Sequence, residues 1–371
     1  MPEETVSTDK QFECAQCGAS LTYTPGTAQL DCAYCGHSNP VPVLDAPVQE
    51  LDFHAALAAA GAAEDTVERI TVRCGGCGAA STLDPHVKAD TCPFCGTPHV
   101  QAGVSTRVIK PKALLPFKVE RAAAGRSFSN WLASLWFAPS ALTARAQRDG
   151  QLQGIYIPYW TYDCHATTQY TGQRGEHYWV TEHYTEQVNG KSVQKSRQVR
   201  HTRWYPASGT VRNTFDDILI LASASLPREK TEALEPWDLD DLQPYQDHYL
   251  SGFKAESYQI DLEGGFGAAK ERVAPEIHAT ICSDIGGDEQ RVHESHSVYS
   301  GITFKHLLLP VWISAYRFKG KVFRFVVNGR TGEVQGERPW SWVKITLAVL
   351  AGLAAVAMGY GGYELWMQTH P

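Results

Sequence analysis

Eight of the ten cysteines fall into two copies of one spacing that is typical of a metal site. Each copy has two C-x2-C pairs separated by 14 residues. Two such turns together supply four thiolates, which complete a tetrahedral shell around Zn²⁺. Glycine follows the second cysteine of every pair, where a tight turn lets backbone N–H groups point at sulfur. The sequence therefore predicts two structural zinc ions with these ligands: Cys14, Cys17, Cys32 and Cys35, then Cys74, Cys77, Cys92 and Cys95.

Disulfides are the alternative explanation for so many cysteines, but they require an oxidising compartment. Met1–Lys10 is acidic and polar and does not resemble a signal peptide. A closed shell of four cysteines has no open position for a substrate, so we expect structural rather than catalytic zinc. Metal binding stabilises such small modules by on the order of 10 kcal/mol, so chelation is expected to unfold them and spare the rest. Cys164 and Cys282 stand alone and are expected to be small buried side chains.

An apolar segment near the end of the chain predicts a transmembrane helix. Ile345–Tyr363 has no formal charge and, at about 1.5 Å per residue, spans roughly 28 Å as a helix, close to the hydrocarbon thickness of a bilayer. A buried helix of a soluble core is the alternative, but aromatic residues flank the segment as in membrane proteins. These are Trp340, Trp342, Tyr360, Tyr363 and Trp366. Residues 343–363 are therefore predicted to lie in the bilayer.

Charges on either side of this segment predict its orientation. Arg330, Arg338 and Lys344 precede it and Glu364 follows it, so the positive-inside bias places the N-terminal bulk in the cytoplasm. We expect a single-pass, tail-anchored protein of the inner (cytoplasmic) membrane. A stripe of small residues at helical spacing would suit a homo-oligomeric helix contact. The equal alternative is that small residues are simply common here: Ala348, Gly352, Ala355 and Gly359.

The N-terminal part is acidic and the remainder is nearly neutral. Residues 1–105 carry four basic and thirteen acidic side chains, whereas the rest carries 29 basic and 27 acidic ones. Zinc ribbons that bind nucleic acid need a basic surface to meet the phosphates. The acidic setting therefore argues against nucleic acid and favours a protein partner.

The order of patterns predicts an α+β fold with two N-terminal four-cysteine zinc ribbons, a β-rich α+β body with long hairpins, and one C-terminal transmembrane helix. The predicted domains are ribbon 1 (1–45), a helical linker (46–70), ribbon 2 (71–105), the cytoplasmic body (106–338), and the membrane helix with a short tail (339–371). Apolar spacing and turn residues predict the elements inside these domains. Helices are expected at Leu51–Ala63, Val119–Leu135, Ser140–Arg148 and Asp261–Ser283, and strands at Gln153–Tyr170, Thr303–Phe318, Lys321–Val327 and Glu333–Gly336.

Three details of these elements can be checked against a structure. The linker helix is expected to rest on a ribbon through Leu51, Phe53 and Leu57, and Pro275 is expected to bend or divide its helix. The sequence Leu309-Pro310-Val311-Trp312 echoes Ile157-Pro158-Tyr159-Trp160, which suggests a duplicated β unit.

Asn189-Gly190 predicts the turn of a long hairpin, the basic hairpin 177–204. A two-residue loop fixes the register, so Glu182 should face Arg197, and Trp179 should face Arg200, which permits a cation–π contact. A basic ribbon could touch anionic lipid or an acidic partner. The alternative, which we favour, is a solvated ribbon whose charges are partly paired within it.

The sequence contains no catalytic motif, so we expect no enzyme activity. Gly190-Lys191-Ser192 lacks the upstream glycine of a phosphate loop, because Thr185 stands there. There is no G-x-S-x-G and no H-E-x-x-H. The remaining polar candidates are interpreted as surface, loop and cap residues. They are His293, His296, His306, Asp216, Asp217, Asp238, Asp240 and Asp241.

Several stretches resemble a bacterial family of tail-anchored double zinc-ribbon membrane proteins. They are IPYWTYD (157–163), TRWYPASG (202–209), IGGDEQR (285–291), LPVW (309–312) and VVNGRTGEVQGERP (326–339). Members are often labelled primosomal-helicase-like or TFIIB-type zinc ribbon proteins, but a helicase would need a Walker A motif, which this chain lacks. The architecture is also loosely similar to that of a Bacillus zinc-ribbon membrane protein that acts with SPFH/flotillin-like and PspA-type proteins. The resemblance implies an adaptor, and only the eight cysteines carry over as site residues.

We therefore expect a non-enzymatic adaptor whose ribbons recruit protein partners to the cytoplasmic face of the membrane, in a membrane-stress or SPFH/PspA-type system. The alternative is a nucleic-acid-binding zinc-ribbon protein tethered to the membrane, which salt-dependent binding to DNA or RNA would reveal. A third class is an enzyme whose site lies in the β-rich body, which a deep polar pocket would favour.

Overall fold

The computed structural model describes residues 12–42, 44, 47–58, 66–75, 77, 79–82, 90–92, 94–95, 97–99, 104–137, 139, 152–188, 191–318, 321–337 and 340–369. These residues form a sheet-rich α+β protein with two cysteine clusters near the N-terminus and one apolar helix at the C-terminus, which confirms the predicted fold class. The α-helices are α1 (Phe53–Ala58), α2 (Arg121–Ser134), α3 (Arg228–Glu232), α4 (Leu262–Ile285) and α5 (Trp342–Thr369).

The strands pair into small sheets around the cysteines and one large sheet in the body. In chain order they are β1 (Leu21–Tyr23), β2 (Gln29–Cys32), β3 (Ser38–Pro40), β4 (Leu51–Asp52), β5 (Thr66–Arg73), β6 (Ala80–Thr82), β7 (Asp90–Thr91), β8 (Pro98–His99), β9 (Val104–Ile109), β10 (Ala113–Leu114), β11 (Gln153–Val188), β12 (Lys191–Leu221), β13 (Gln243–Pro244), β14 (Lys254–Ala255), β15 (Glu289–Phe318), β16 (Lys321–Asn328) and β17 (Val334–Gly336). The small sheets are β1-β2-β3, β6-β5-β9 and β7-β8. The large sheet has the order β12-β11-β15-β10-β13, with β4, β14, β16 and β17 paired to its members.

β11 and β12 form a hairpin much longer than the predicted strands. Their antiparallel register pairs Glu182 with Arg197 and Trp179 with Arg200, as predicted, although the turn at residues 189–190 lies outside the described residues. β15 accompanies β11 as far as the pair Gly175↔Glu289. Beyond that pair, β11 and β12 continue as a two-stranded ribbon made of residues 176–188 and 191–203, here called the arm.

Most of the body consists of two equivalent β-α-β-β units, so the equivalence extends well beyond the short sequence echo. The first unit is β10-α2-β11-β12 and the second is β14-α4-β15-β16. The units exchange their first strands: β10 pairs parallel with β15, and β14 pairs parallel with β11. They meet where β11 and β15 pair antiparallel, around Ile157↔Leu309.

Matching hydrogen bonds identify equivalent positions in the two units. The Trp160 indole donates to the Ile260 carbonyl, and the Trp312 indole donates to the Val119 carbonyl, both at 2.9 Å. Each acceptor lies two residues before a helix, so the tryptophan of one unit holds the helix start of the other. The proline of each motif also accepts an equivalent backbone bond, Pro158 from Ala222 and Pro310 from Gly329.

α4 covers one face of the long strands with an apolar stripe at helical spacing. Asp261 caps its start by accepting a hydrogen bond from the Gly264 amide at 2.8 Å. The buried stripe comprises Leu262, Gly265, Phe266, Ala269, Val273, Ile277, Ile281 and Ile285. Pro275 does not divide the helix, because it lies on the exposed face while the stripe packs on both sides of it.

The linker between the cysteine groups packs differently from the prediction. α2 confirms the helix predicted after the second group, whereas Ser140–Arg148 lies outside the described residues. The predicted linker helix spans only Phe53–Ala58 among the described residues. Phe53 packs against Tyr162 and Phe266 of the body and not against a ribbon, because β4 just before it pairs with β15.

Candidate metal centres

Each of the four cysteine pairs lies in the same kind of tight turn. The amide of the first cysteine donates to a carbonyl five residues later, at 2.8 to 3.0 Å: Cys14 to Ala19, Cys32 to His37, Cys74 to Ala79 and Cys92 to Thr97. In the first group Gly18 and Gly36 close the turns with φ of 69° and 71°, in the left-handed region that glycine adopts without strain. The backbone of each turn in the first group therefore requires glycine after the second cysteine.

The turns bring the eight cysteines that the spacing predicts as ligands into two groups of four. In each group the four sulfur atoms lie within 4.8 Å of one another. The shortest Sγ–Sγ distances are 3.5 Å and 3.6 Å in the first group and 3.6 Å twice in the second. Four sulfurs around an ion at about 2.3 Å would be about 3.8 Å apart, so each group could hold one tetrahedral metal ion after only small adjustments.

Hydrogen bonds within the turns favour the thiolate at some ligands. Burial raises the pKa of Cys14, but backbone amides of Gln16 and Cys17 outweigh it and lower this pKa to about 6. Burial likewise raises the pKa of Cys95, while the Thr97 hydroxyl, 3.2 Å from Sγ, helps to lower it to about 7. Burial raises the pKa of Cys77 to about 11. A metal cation would offset the repulsion that opposes four thiolates in one place.

Both cysteine groups share their apolar cores with the body. Cys14 and Cys32 belong to a buried cluster that includes Phe117, and Cys74 and Cys92 belong to another that includes Ile155. Neither module therefore buries its cysteines alone. This packing argues against the expectation that chelation would unfold the modules and spare the body.

The two groups differ in exposure. Cys17 and Cys35 of the first group are exposed, and Tyr34 beside them is 85% exposed. In the second group Cys74, Cys92 and Cys95 are buried and Cys77 is half-buried. The first group therefore has one side in water, whereas the second lies mostly against protein.

A third cluster, which the sequence reasoning missed, is an ion-pair network and not a metal site. The carboxylates of Asp163, Asp216 and Asp217 converge, but the Lys305 ammonium already lies 2.7 Å from Asp217 and 3.1 Å from Glu50. Burial raises the pKa of Asp163 to about 6. Asp217 was expected to be a loop or cap residue, yet it lies in β12. No local signal reveals the pairing, because Lys305 is far away in sequence.

The predicted cap residues near position 240 have a similar outcome. Asp238 makes no side-chain cap hydrogen bond and instead binds the buried Arg330 guanidinium at 2.6 Å, beside Asp241 at 2.5 Å.

His306 is buried with Nδ1 2.8 Å from the Ile109 carbonyl, and burial lowers its pKa to about 4. His296 is an exposed residue ten positions earlier on the same strand, so these histidines do not meet.

Comparisons with known proteins add one relative. No protein-family model matches the chain, and no solved structure matches it. The chain is similar to a Bacillus protein. Over 247 residues it is 26% identical to the uncharacterized protein YdjG of Bacillus subtilis (strain 168), and the match covers 66% of this chain and 68% of that protein. The likeness agrees with a bacterial resemblance and supplies no activity.

Proposed function

We propose that this chain is a zinc-binding, membrane-anchored adaptor that recruits protein partners on the cytoplasmic side and catalyses no reaction. The observation that carries the proposal is the placement of two exposed elements, α5 and the arm, at opposite ends of the large sheet. One element would attach the protein to the bilayer, and the other would reach a partner at a distance from it.

The register of the sheet supports this placement. β17 leaves the sheet at Gly336, which pairs with Phe325, and Phe325 pairs with Ser314 of β15. This is the end at which β11 begins, because Gln153 pairs with Ile313. β11 then runs for 36 residues to the arm tip, on the order of 120 Å at about 3.3 Å per residue. α5 begins six residues after Gly336, at the end remote from the tip.

The arm surface has the composition of a protein-binding surface. Arginine and tyrosine, which are enriched in protein interfaces, stack along one face, with Arg203 5.0 Å from the Tyr178 ring and Arg197 5.7 Å from the Tyr184 ring. Two of its cations are paired within the arm, Arg197 with Glu182 at 2.9 Å and Lys195 with Glu186 at 2.6 Å. This pairing, which the sequence reasoning favoured, weakens attraction to phosphates and so disfavours the nucleic-acid alternative.

Zinc is the metal that we propose for both cysteine groups. Four thiolates in a closed tetrahedral arrangement suit Zn²⁺, and they would leave it no open position, so its role would be to hold the modules folded. Metal analysis of the purified full chain should give two zinc ions per chain. Absence of metal, or iron in place of zinc, would refute this assignment.

The membrane location rests on α5. Trp342–Tyr363 is long and apolar enough to cross a membrane, with mean hydropathy 1.8 and no residue buried against the rest of the protein. The positive residues before it support a cytoplasmic body. A PspA-type or SPFH-type protein is the partner class that the family resemblance implies.

The adaptor role can be tested by shortening the arm. Because Tyr178 pairs with His201, an even number of positions from the pair Val188↔Lys191 that flanks the native turn, deleting residues 179–200 and inserting Asn-Gly preserves register and turn geometry. Crosslinking and pull-down from native membranes should then lose partners while the protein remains in the membrane fraction. A matched pair localises the effect: Tyr184→Ser with Arg197→Ser on the aromatic face, against Thr185→Ser with Gln194→Ser on the opposite face.

Two outcomes would contradict the proposal. An unchanged set of partners after shortening would remove the arm from the function. Salt-dependent retention of DNA or RNA by the full chain, lost on shortening, would favour the membrane-tethered nucleic-acid alternative.

A further inference from the structure

Exposed aromatic residues surround the start of α5. Trp136 and Phe137, which follow α2, are 82% and 39% exposed. Trp340 and Trp342, at the start of α5, are 52% and 78% exposed. The first two residues are remote in sequence from the other two, so only the fold brings them to one place.

Hydrogen bonds hold the two segments together. The Ser341 amide donates to the Phe137 carbonyl at 2.7 Å. Ser341 also begins the helix, because its carbonyl accepts from the Ile345 amide at 3.0 Å and its hydroxyl lies 3.4 Å from the Lys344 amide. The loop after α2 is therefore fixed at the level of the first turn of α5.

The outward direction of Trp136 is set by rigid packing beneath it. Phe128 of α2 stacks on Phe325 of β16 with ring centroids 3.5 Å apart, and Leu132 and Leu135 are buried in the same cluster. The Trp136 amide donates to the Ser134 carbonyl at 3.0 Å. Leu135 is buried, whereas Trp136 directly after it is exposed to solvent. The exposure of Trp136 is therefore not explained by a loose loop, and an exposed aromatic side chain on a well-packed segment indicates a contact surface.

We propose that the loop Leu135–Phe137 is a second membrane contact, in which Trp136 and Phe137 insert into the headgroup region of the bilayer that α5 crosses. This inference rests on the proposed membrane location of α5. Tryptophan is enriched at that depth because its ring is amphipathic. The headgroup layer is roughly 5–7 Å thick on each side, and the Ser341–Phe137 hydrogen bond places the loop within reach of the plane that Trp340 and Trp342 occupy.

The lipid surface is favoured over other occupants by continuity with the apolar span. The aromatic residues of the loop and those at the start of α5 lie on either side of one hydrogen bond, so a bilayer that receives Trp342 meets Trp136 as well. A second copy of the chain or another protein would have to approach in the same layer. Loop and helix together would limit rotation of the body about α5.

The test uses the full chain in vesicles of phosphatidylethanolamine and phosphatidylglycerol. A benzophenone amino acid replaces one residue at a time: Trp136, the arm residue Trp179 as a control of the same type, and Leu353 within α5. Trp179 is 62% exposed and Leu353 also 62%, so accessibility does not separate the sites. After irradiation, lipid adducts are measured by mass spectrometry. We expect lipid adducts at positions 353 and 136, and several-fold fewer at 179.

Each other result has a defined meaning. The loop contact would be overturned if position 353 forms lipid adducts while position 136 forms no more of them than position 179. That result would leave the membrane helix standing. Adducts to protein at 136, with no lipid adduct there, would also overturn it. Absence of lipid adducts at 353 would overturn both this inference and the membrane location on which it rests. In a second measurement, Trp136→Ser with Phe137→Ser should reduce the quenching of tryptophan fluorescence by headgroup-proximal brominated lipid.

Discussion

Gly265 offers the sharpest test of how α4 packs on the sheet. A Cβ added at Gly265 would clash with the Tyr162 hydroxyl and would lie 2.8 Å from Cδ1 of Trp160. Tyr162 donates from that hydroxyl to the Leu262 carbonyl at 2.8 Å. Gly267, two residues along the same helix, is exposed and has no atom within 4 Å of its added Cβ. Gly267→Ala is therefore a matched control.

The magnitude follows from three terms. Overpacking costs about 1–3 kcal/mol, and weakening the buried tyrosine hydrogen bond adds about 1 kcal/mol. Replacing glycine by alanine inside a helix returns about 1 kcal/mol. We expect Gly265→Ala to lower the free energy of unfolding by about 2 kcal/mol and Gly267→Ala to raise it by about 1 kcal/mol.

The equivalent position in the other unit supports this reasoning. Ala124 of α2 is equivalent to Gly265 and is fully buried. Ser314 of β15 is equivalent to Tyr162 of β11. A smaller partner on the strand leaves room for the alanine methyl group. Urea denaturation of the full chain in detergent, followed by tryptophan fluorescence, measures both variants. Equal effects of Gly265→Ala and Gly267→Ala would refute the close approach of α4 to Trp160 and Tyr162.

Three further predictions concern buried charge and metal. Burial raises the pKa of Glu256 from 4.5 to about 8; the folded state keeps a proton that the unfolded state loses, so stability falls as pH rises from 4.5 to 8. Denaturation across this range should show Glu256→Gln gaining about 3 kcal/mol over wild type between pH 4.5 and 7, and a pH-independent difference would contradict this. Lys305→Met should destabilise the fold by about 3 kcal/mol in the same assay, with partial recovery on adding Asp217→Asn; no recovery would exclude uncompensated charge as the cause. Chelation should release metal and reduce the near-ultraviolet circular dichroism of the body together, because Cys32 packs in one cluster with Phe117; a body signal unaffected by metal loss would favour independent modules.

The sequence was most informative where a pattern is local. The two-residue turn alone gives the register of the long hairpin, because antiparallel pairing follows directly from the loop length. The cysteine spacing likewise identifies the four turns, since each pair and its glycine lie within a few residues. The helical spacing of apolar residues before Leu135 predicts α2, because all residues of its apolar face belong to one continuous segment.

Contacts between distant segments could not be found in this way. Nothing in the sequence around Phe53 indicates whether its side chain packs against a zinc ribbon or against the body. Arg330 and Asp238 are separated by 92 residues, so local chemistry suggested a helix cap where the structure has an ion pair. The duplicated units share only a short sequence echo, because backbone hydrogen bonds and not side-chain identity preserve most of their equivalence.

By itself the sequence determined the two groups of four cysteines that could each hold a metal ion, the apolar segment that could span a membrane and the register of the arm. Each of these depends on neighbours in the chain, whose relative positions the backbone limits. Only the tertiary structure decided that both cysteine modules share the core of the body, that the arm and α5 lie at opposite ends of one sheet, and that Trp136 is held beside the first turn of α5. The shared core arises from burying apolar surface, and the other two arrangements arise from strand pairing and a hydrogen bond. All three join remote segments, and many remote pairings satisfy the same local pattern.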